Sequence, residues 1–209
     1  MNEKNHRFGN VQDISQIPDE KEKLRQKLRN IRMQISADDH VAWSLRACIH
    51  LDAFINEWIL GPPTGVLVYC AKPPELDTSL LIESLLTKQI PTLVPIIQQE
   101  DLSLRLSYLT STSSLICSTF QVPEPIGCEI PARPEDVSIC IVPILGFCTD
   151  GARLGYGKGY YDRFFQKNKH IYKIGTAFSC QKCDEIPITD DDIRMDLIIT
   201  EHGIVYKHP

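Results

Sequence analysis

The segment Gly151-Ala152-Arg153-Leu154-Gly155-Tyr156-Gly157-Lys158-Gly159-Tyr160-Tyr161-Asp162-Arg163 concentrates several kinds of chemistry in a short stretch. Alternating Gly155, Gly157 and Gly159 removes side chains that would hold a backbone away from a phosphate. Their N–H groups are then free to form an anion-binding concavity at a helix N-terminus. Lys158 offers a point charge to a phosphoryl group, Arg153 a second cation, Asp162 hard oxygen to Mg²⁺, and a tyrosine ring a stacking face. The spacing is neither a Walker A loop nor the G-x-G-x-x-G of a dinucleotide fold. Glycines alone would equally describe a flexible connection with solvated charges. Two cations, two adjacent tyrosines and an aspartate close together point instead to a nucleotide and metal site.

Such a loop needs a buried strand to present it, because ligands of open α/β sheets bind beyond the carboxyl ends of the strands. The run Ile139-Cys140-Ile141-Val142-Pro143-Ile144-Leu145 is the clearest strand of that kind. Strand patterns at 65–69 and 92–97 bracket a helix around Leu80, Leu81, Leu85 and Leu86, a βαβ rhythm that implies a parallel sheet with helical cover. Further strands are expected at 104–108, 172–177 and 197–200, with a helix from Tyr160 to Lys167 and a small terminal hairpin. The Ser-, Thr-, Pro- and Gly-rich segment 110–136 reads mostly as loop. Ahead of the sheet, Leu24, Leu28, Ile31 and Ile35 recur at helical spacing. Ser36 then resembles the N-cap of a second helix through Trp43, Leu45, Ile49 and Phe54, which Gly61-Pro62-Pro63 stops. The expected architecture is a single-domain three-layer α/β/α sandwich with a mainly parallel sheet and an N-terminal α-hairpin, spanning 17–209. Polar residues 1–16 are expected to form a mobile extension.

Composition narrows the setting. A formal charge of -5 and a pI near 5.7 argue against broad electrostatic binding to nucleic acid. No apolar run approaches the roughly 20 residues of a membrane span, and MNEKNHRFGN lacks the apolar centre of a signal peptide. A soluble, cytoplasmic protein, a monomer rather than an oligomer, is the expectation. The eight cysteines are scattered, several within apolar runs, which favours free thiols. Cys180 and Cys183 have ligand spacing, but no second pair completes a zinc site.

The run from Arg153 to Asp162 resembles the signature loop of the 5-formyltetrahydrofolate cyclo-ligase family. The similarity extends to Lys21-x-x-x-Arg25 on the first helix, to Tyr69–Thr78 with Pro74-Glu75-Leu76-Asp77-Thr78, to the strand exit at 142–147, and to Asp192-x-x-x-Asp196. The resemblance implies ATP-dependent cyclisation of 5-formyltetrahydrofolate to 5,10-methenyltetrahydrofolate, with ATP as co-substrate, Mg²⁺ as metal, and ADP and phosphate released. It implies a nucleotide site of Lys21, Arg25, Arg153, Gly155, Gly157, Lys158, Gly159 and Tyr160, with Lys158, Arg153 and Tyr161 as the catalytic set. Glu75 matches the position that contacts the pterin, and Tyr69, Phe120, Tyr156 and Tyr161 complete the substrate side. Asp162 and Asp196 are the expected metal ligands, ahead of Asp192 and Asp191. Without the resemblance, Lys21 and Arg25 read as part of a solvated basic helix, since Lys23, Lys27, Arg29 and Arg32 surround them. The alternatives are a paralogous nucleotide-binding module acting on another substrate or none, and a sugar-phosphate isomerase on a similar scaffold. Glu75 on the substrate side favours the enzyme over the paralogue, and an isomerase would need no ATP.

Overall fold

Apolar and β-branched runs form the centre of the sheet. In the computed structural model, which describes residues 16–58, 65–118 and 121–208, these runs are β1 (Gly65–Val68), β2 (Thr92–Gln98), β7 (Val137–Pro143), β10 (Tyr172–Thr176) and β11 (Leu197–Thr200). All five are parallel, in the order β11-β10-β7-β1-β2. Antiparallel strands complete the eight-stranded sheet: β3 (Ser103–Tyr108) and β6 (Ile130–Ala132) beyond β2, and β12 (Gly203–Lys207) beyond β11. Gly65 opens β1 where a side chain would not fit, since a Cβ there would lie 2.2 Å from Leu93 and 2.7 Å from the Asp136 carbonyl oxygen.

Strand residues alternate between two cores, as the period-2 pleat requires. Val66, Val68, Ile139 and Ile141 face α2 (Ala37–Trp58) and α3 (Ser79–Thr87), packing with Leu51, Ile55, Leu81 and Leu85. Leu67, Cys140 and Val142 face the other side and meet Phe164 and Phe165 of α4 (Tyr160–Lys167). The three-layer sandwich expected from the sequence is therefore present. Helix α1 (Ile17–Met33) lies against neither central face: Leu24, Leu28 and Ile31 pack on Leu145, Cys148, Leu154 and Ile186, next to the segment that follows β7. Ser36 caps α2, its hydroxyl accepting from the Asp39 N–H at 3.0 Å.

One expectation needs correction, and one, a mostly loop segment at 110–136, stands with short strands added. The stretch after β7 is not all loop: β8 (Gly146–Phe147) pairs with β9 (Arg153–Leu154), which fixes Arg153 in a strand with its side chain buried. Segment 110–136 holds β6 and the short pair β4 (Ile116–Cys117) and β5 (Pro123–Glu124), concealed by turn-forming composition. All eight cysteines are free, and among the described residues no group of three or more His, Cys, Asp or Glu is placed to hold a metal. No helix among the described residues is long and apolar enough to cross a membrane. The expected extension at 1–16, the stop at 61–63 and Phe120 fall outside the described residues, apart from Gln16.

Candidate active site

A cavity of about 610 Å³ opens at the carboxyl ends of the parallel strands, a size suited to a small-molecule ligand. Tyr69 and Cys70 enter it from the end of β1, Pro95 and Ile97 from β2, and Val142 and Pro143 from β7. The Gly-rich segment from Arg153 to Arg163 forms one wall, and Lys21 and Arg25 of α1 reach it from the side. Lys72, Glu75, Asp191 and Asp192 also line it.

The cradle is built around backbone that only glycine holds easily. Gly157 has φ +96°, and a Cβ there would come within 3.2 Å of the Arg25 guanidinium carbon. Gly159 has φ +68° and caps α4, so the first N–H groups of the helix begin beside the cavity. Arg25 Nε donates to the Gly155 carbonyl at 3.0 Å, and Lys21 Nζ pairs with Asp192. One face of α1 therefore meets the site, and Lys21 and Arg25 are not solvated surface cations. Arg163 bonds the Lys158 carbonyl and, at 3.0 Å, the Leu102 carbonyl, which ties the cradle to the turn between β2 and β3. Lys158 itself makes no ion pair among the described residues, so its ammonium is the cradle's uncommitted charge.

Arg153, 7% exposed, is engaged with the protein. Nη2 pairs with Asp162 Oδ1 at 2.7 Å and Nη1 donates to the Ile193 carbonyl. The same Asp162 oxygen accepts from the Ile193 N–H at 3.1 Å, while Oδ2 has no hydrogen-bond partner among the described residues. Arg153 thus holds Asp162 with one oxygen left over.

Asp196 is placed elsewhere. It precedes β11 at the amino end of the sheet, where its carboxylate takes the Lys173 N–H at 2.8 Å and pairs with the Lys173 ammonium at 2.7 Å. A strand of five residues separates that end from the cavity by roughly 13 Å, so the expectation that Asp196 faces the site does not hold. Asp192 does: its Oδ2 accepts from Lys21 and from the Thr189 N–H and hydroxyl. Burial alone would raise its pKa, but these bonds hold the carboxyl below the ordinary 3.8.

Glu75, 7% exposed and also lining the cavity, is fixed by the Lys72 N–H at 3.1 Å, and its own carbonyl meets His40 Nε2 at 2.7 Å. Tyr69 presents its ring to the cavity, but its hydroxyl is committed to the Leu76 carbonyl and Thr176. Burial pushes the phenols of Tyr69, Tyr156 and Tyr161 upward, and the Glu75 charge adds to this, so all three stay neutral donors near pH 7. Tyr160 lies under the Arg163 guanidinium, 5.8 Å from ring centroid to Cζ. Lys72, Arg163 and the apolar lining Ile97, Leu104 and Val122 do not stand out in the sequence. Arg163 directly follows the Tyr160-Tyr161-Asp162 run, whereas the apolar residues carry no signal beyond ordinary core composition.

Comparisons with known proteins agree with this layout. The curated 5-formyltetrahydrofolate cyclo-ligase of Escherichia coli (strain K12) is 32% identical over 143 residues, covering 65% of this chain and 76% of that one. The mitochondrial 5-formyltetrahydrofolate cyclo-ligase of Arabidopsis thaliana is 24% identical over 185 residues, covering 74% and 67%. A solved structure of Aquifex aeolicus 5,10-methenyltetrahydrofolate synthetase superposes with a TM-score of 0.75 at 29% identity, covering 88% of this chain and 91% of that one. The family description that matches residues 17–201 is the 5-formyltetrahydrofolate cyclo-ligase family. With the match spanning α1, the five parallel strands and the cradle, the chain belongs to the 5-formyltetrahydrofolate cyclo-ligase family.

Proposed function

We propose that this protein closes 5-formyltetrahydrofolate to 5,10-methenyltetrahydrofolate at the expense of ATP, releasing ADP and phosphate. One observation carries the reading: a single cavity joins a glycine cradle with Lys158, Lys21 and Arg25 to a wall of Glu75, Tyr156 and Tyr161. The cradle suits a polyphosphate, and the carboxylate suits the N–H donors of a pterin.

The chemistry explains why both halves are needed. An N5-formyl group is an amide whose oxygen leaves poorly. The formyl oxygen attacks the γ-phosphorus and the bond to ADP breaks, giving an iminium phosphate. The N10 lone pair then attacks the formyl carbon, the C–O bond breaks, phosphate departs with that oxygen, and N10 loses its proton. Such a sequence needs positioning and charge neutralisation rather than a protein nucleophile. Lys158 neutralises charge on the transferred group, and Lys21 and Arg25 hold the phosphates from α1. Arg153 acts by orienting Asp162, Glu75 orients the pterin, and Tyr161 contributes a neutral hydroxyl and a ring face.

A magnesium ion fits this set, because Mg²⁺ is usually held by one or two carboxylates with phosphate and water supplying the rest. Asp162, through its uncommitted Oδ2, and Asp192 are the residues that would hold it. Bound there, the ion supplies charge neutralisation to the phosphates.

The test is isotopic. With ¹⁸O in the formyl group, the label is expected in inorganic phosphate after one turnover; label recovered in water instead would exclude phosphorylation of the formyl oxygen.

A further inference from the structure

Arg32 is not among the residues that line the cavity, yet it is not a surface cation. It follows Arg25 by seven residues and Lys21 by eleven, so all three project within about 40° of one another on α1. Arg32 is only 5% exposed. Its Nη1 donates to the Tyr156 hydroxyl at 2.7 Å, its Cζ lies 5.6 Å from the Tyr156 ring centroid, and its Nε has no hydrogen-bond partner among the described residues. None of the ion pairs among the described residues includes it. A buried guanidinium with no carboxylate and an orphaned donor weakens a fold relative to an apolar side chain of similar length. Packing therefore does not account for an arginine here.

Direction does. A guanidinium only donates, so the Tyr156 oxygen accepts from Arg32 and the phenolic proton turns to another acceptor. The Glu75 carboxylate lines the same cavity as Tyr156 and its charge acts on the phenol, which makes it the acceptor that the proton turns to. Arg25 meanwhile holds the carbonyl of Gly155, the preceding residue, so α1 fixes this step of the chain at two points.

We propose that Arg32 is a positioning residue for the pterin end of the cavity: it sets Tyr156 as a donor to Glu75, so that the carboxylate meets the substrate already oriented. The proposal rests on the reading of the cavity given under Proposed function. It assigns α1 two tasks, with Lys21 and Arg25 serving the nucleotide and Arg32 serving the folate.

Wild type, Arg32→Met, Arg32→Lys, Tyr156→Phe and the Arg32→Met/Tyr156→Phe double variant are compared for KM toward 5-formyltetrahydrofolate, KM toward ATP, and Tm. Arg32→Met is expected to raise the folate KM about tenfold, the loss of one charge-assisted hydrogen bond, and to leave the ATP KM within about twofold. Arg32→Lys recovers part of the loss, and the double variant is no worse than Tyr156→Phe alone, because both act through one hydroxyl. The Tm of Arg32→Met stays within about 4 °C of wild type, since no buried counter-charge is orphaned. An unchanged folate KM, an equal rise in both KM values, or additive losses in the double variant would each overturn the proposal. If Arg32→Met does not fold, Arg32→Lys alone and combined with Tyr156→Phe tests additivity in its place, with the same outcomes for and against. A wild type that neither binds nor converts 5-formyltetrahydrofolate overturns the cavity reading, and this proposal with it; the other outcomes overturn the proposal alone.

Discussion

Lys158 carries the largest single expectation at the residue scale. It is the cradle's uncommitted ammonium, so Lys158→Ala removes charge stabilisation directly and is expected to lower turnover by at least about a hundredfold. A rate within a fewfold of wild type, measured at saturating substrates, removes Lys158 from the mechanism. The thiols give an independent check on burial. Burial pushes Cys48 and Cys70 up to about 12 and Cys148 up to about 11, whereas Cys117 and Cys128 are exposed. Iodoacetamide near pH 7.5 is expected to label Cys117 and Cys128 first by mass spectrometry, and early labelling of Cys48 would contradict its burial between α2 and the sheet. Much of the residue set was legible because glycine spacing and charge type survive in the linear string: Gly157, Lys158 and Asp162 all line the cavity, as does Glu75, which only the family resemblance singled out. Asp192 and Asp196 were not separable that way. Both are aspartates just before a strand, and only the pairing of Asp196 with Lys173 at the amino end of β10 shows which one faces away.

Elements decide how firmly these groups are held. The cradle bends at Gly157, whose left-handed φ an alanine adopts only with strain, and whose absent Cβ leaves room for Arg25. Gly157→Ala is expected to raise the ATP KM about tenfold while lowering Tm by only about 2–4 °C, roughly 1 kcal/mol of backbone strain. An ATP KM unchanged in steady-state kinetics would separate this turn from nucleotide binding. Helices α2 and α3 are joined by Asp52, which accepts from Lys88 at 2.6 Å and from Ser84 at 2.7 Å. Burial alone would raise its carboxyl, but those bonds hold it below the ordinary 3.8. A lowered folded-state pKa means that the contribution is full above the unfolded value and is lost as pH falls through the folded one. Asp52→Asn is expected to cost about 0.5–1 kcal/mol in urea unfolding at pH 7, with the gap to wild type closing as pH falls below the ordinary aspartate range. A gap of equal size at pH 7 and below that range would show that the charge is not what matters. Helix periodicity foretold α1, α2 and the apolar face of α1, but not that cations beside that face also turn inward. The cations at 21, 25 and 32 share a basic helix with Lys23, Lys27 and Arg29, and only the fold turns three of them inward.

For the whole molecule, the βαβ rhythm of 65–97 and the long apolar run of β7 were enough to anticipate a parallel sheet with helices on both faces. The outermost strand beyond β3 was harder to read, because β6 is a three-residue strand of Ile130, Pro131 and Ala132 within a turn-rich stretch. That architecture gathers α1, the β1 exit and the cradle at one end of the sheet, so the proposed function has both substrates as neighbours in one cavity rather than occupants of separate sites. Their mutual dependence is the account's central claim. The direct measurement is the appearance of 5,10-methenyltetrahydrofolate absorbance when purified protein is mixed with 5-formyltetrahydrofolate, with and without Mg-ATP. Absorbance that grows only when ATP is present is the predicted result; no growth with both substrates present, or equal growth without ATP, would contradict it.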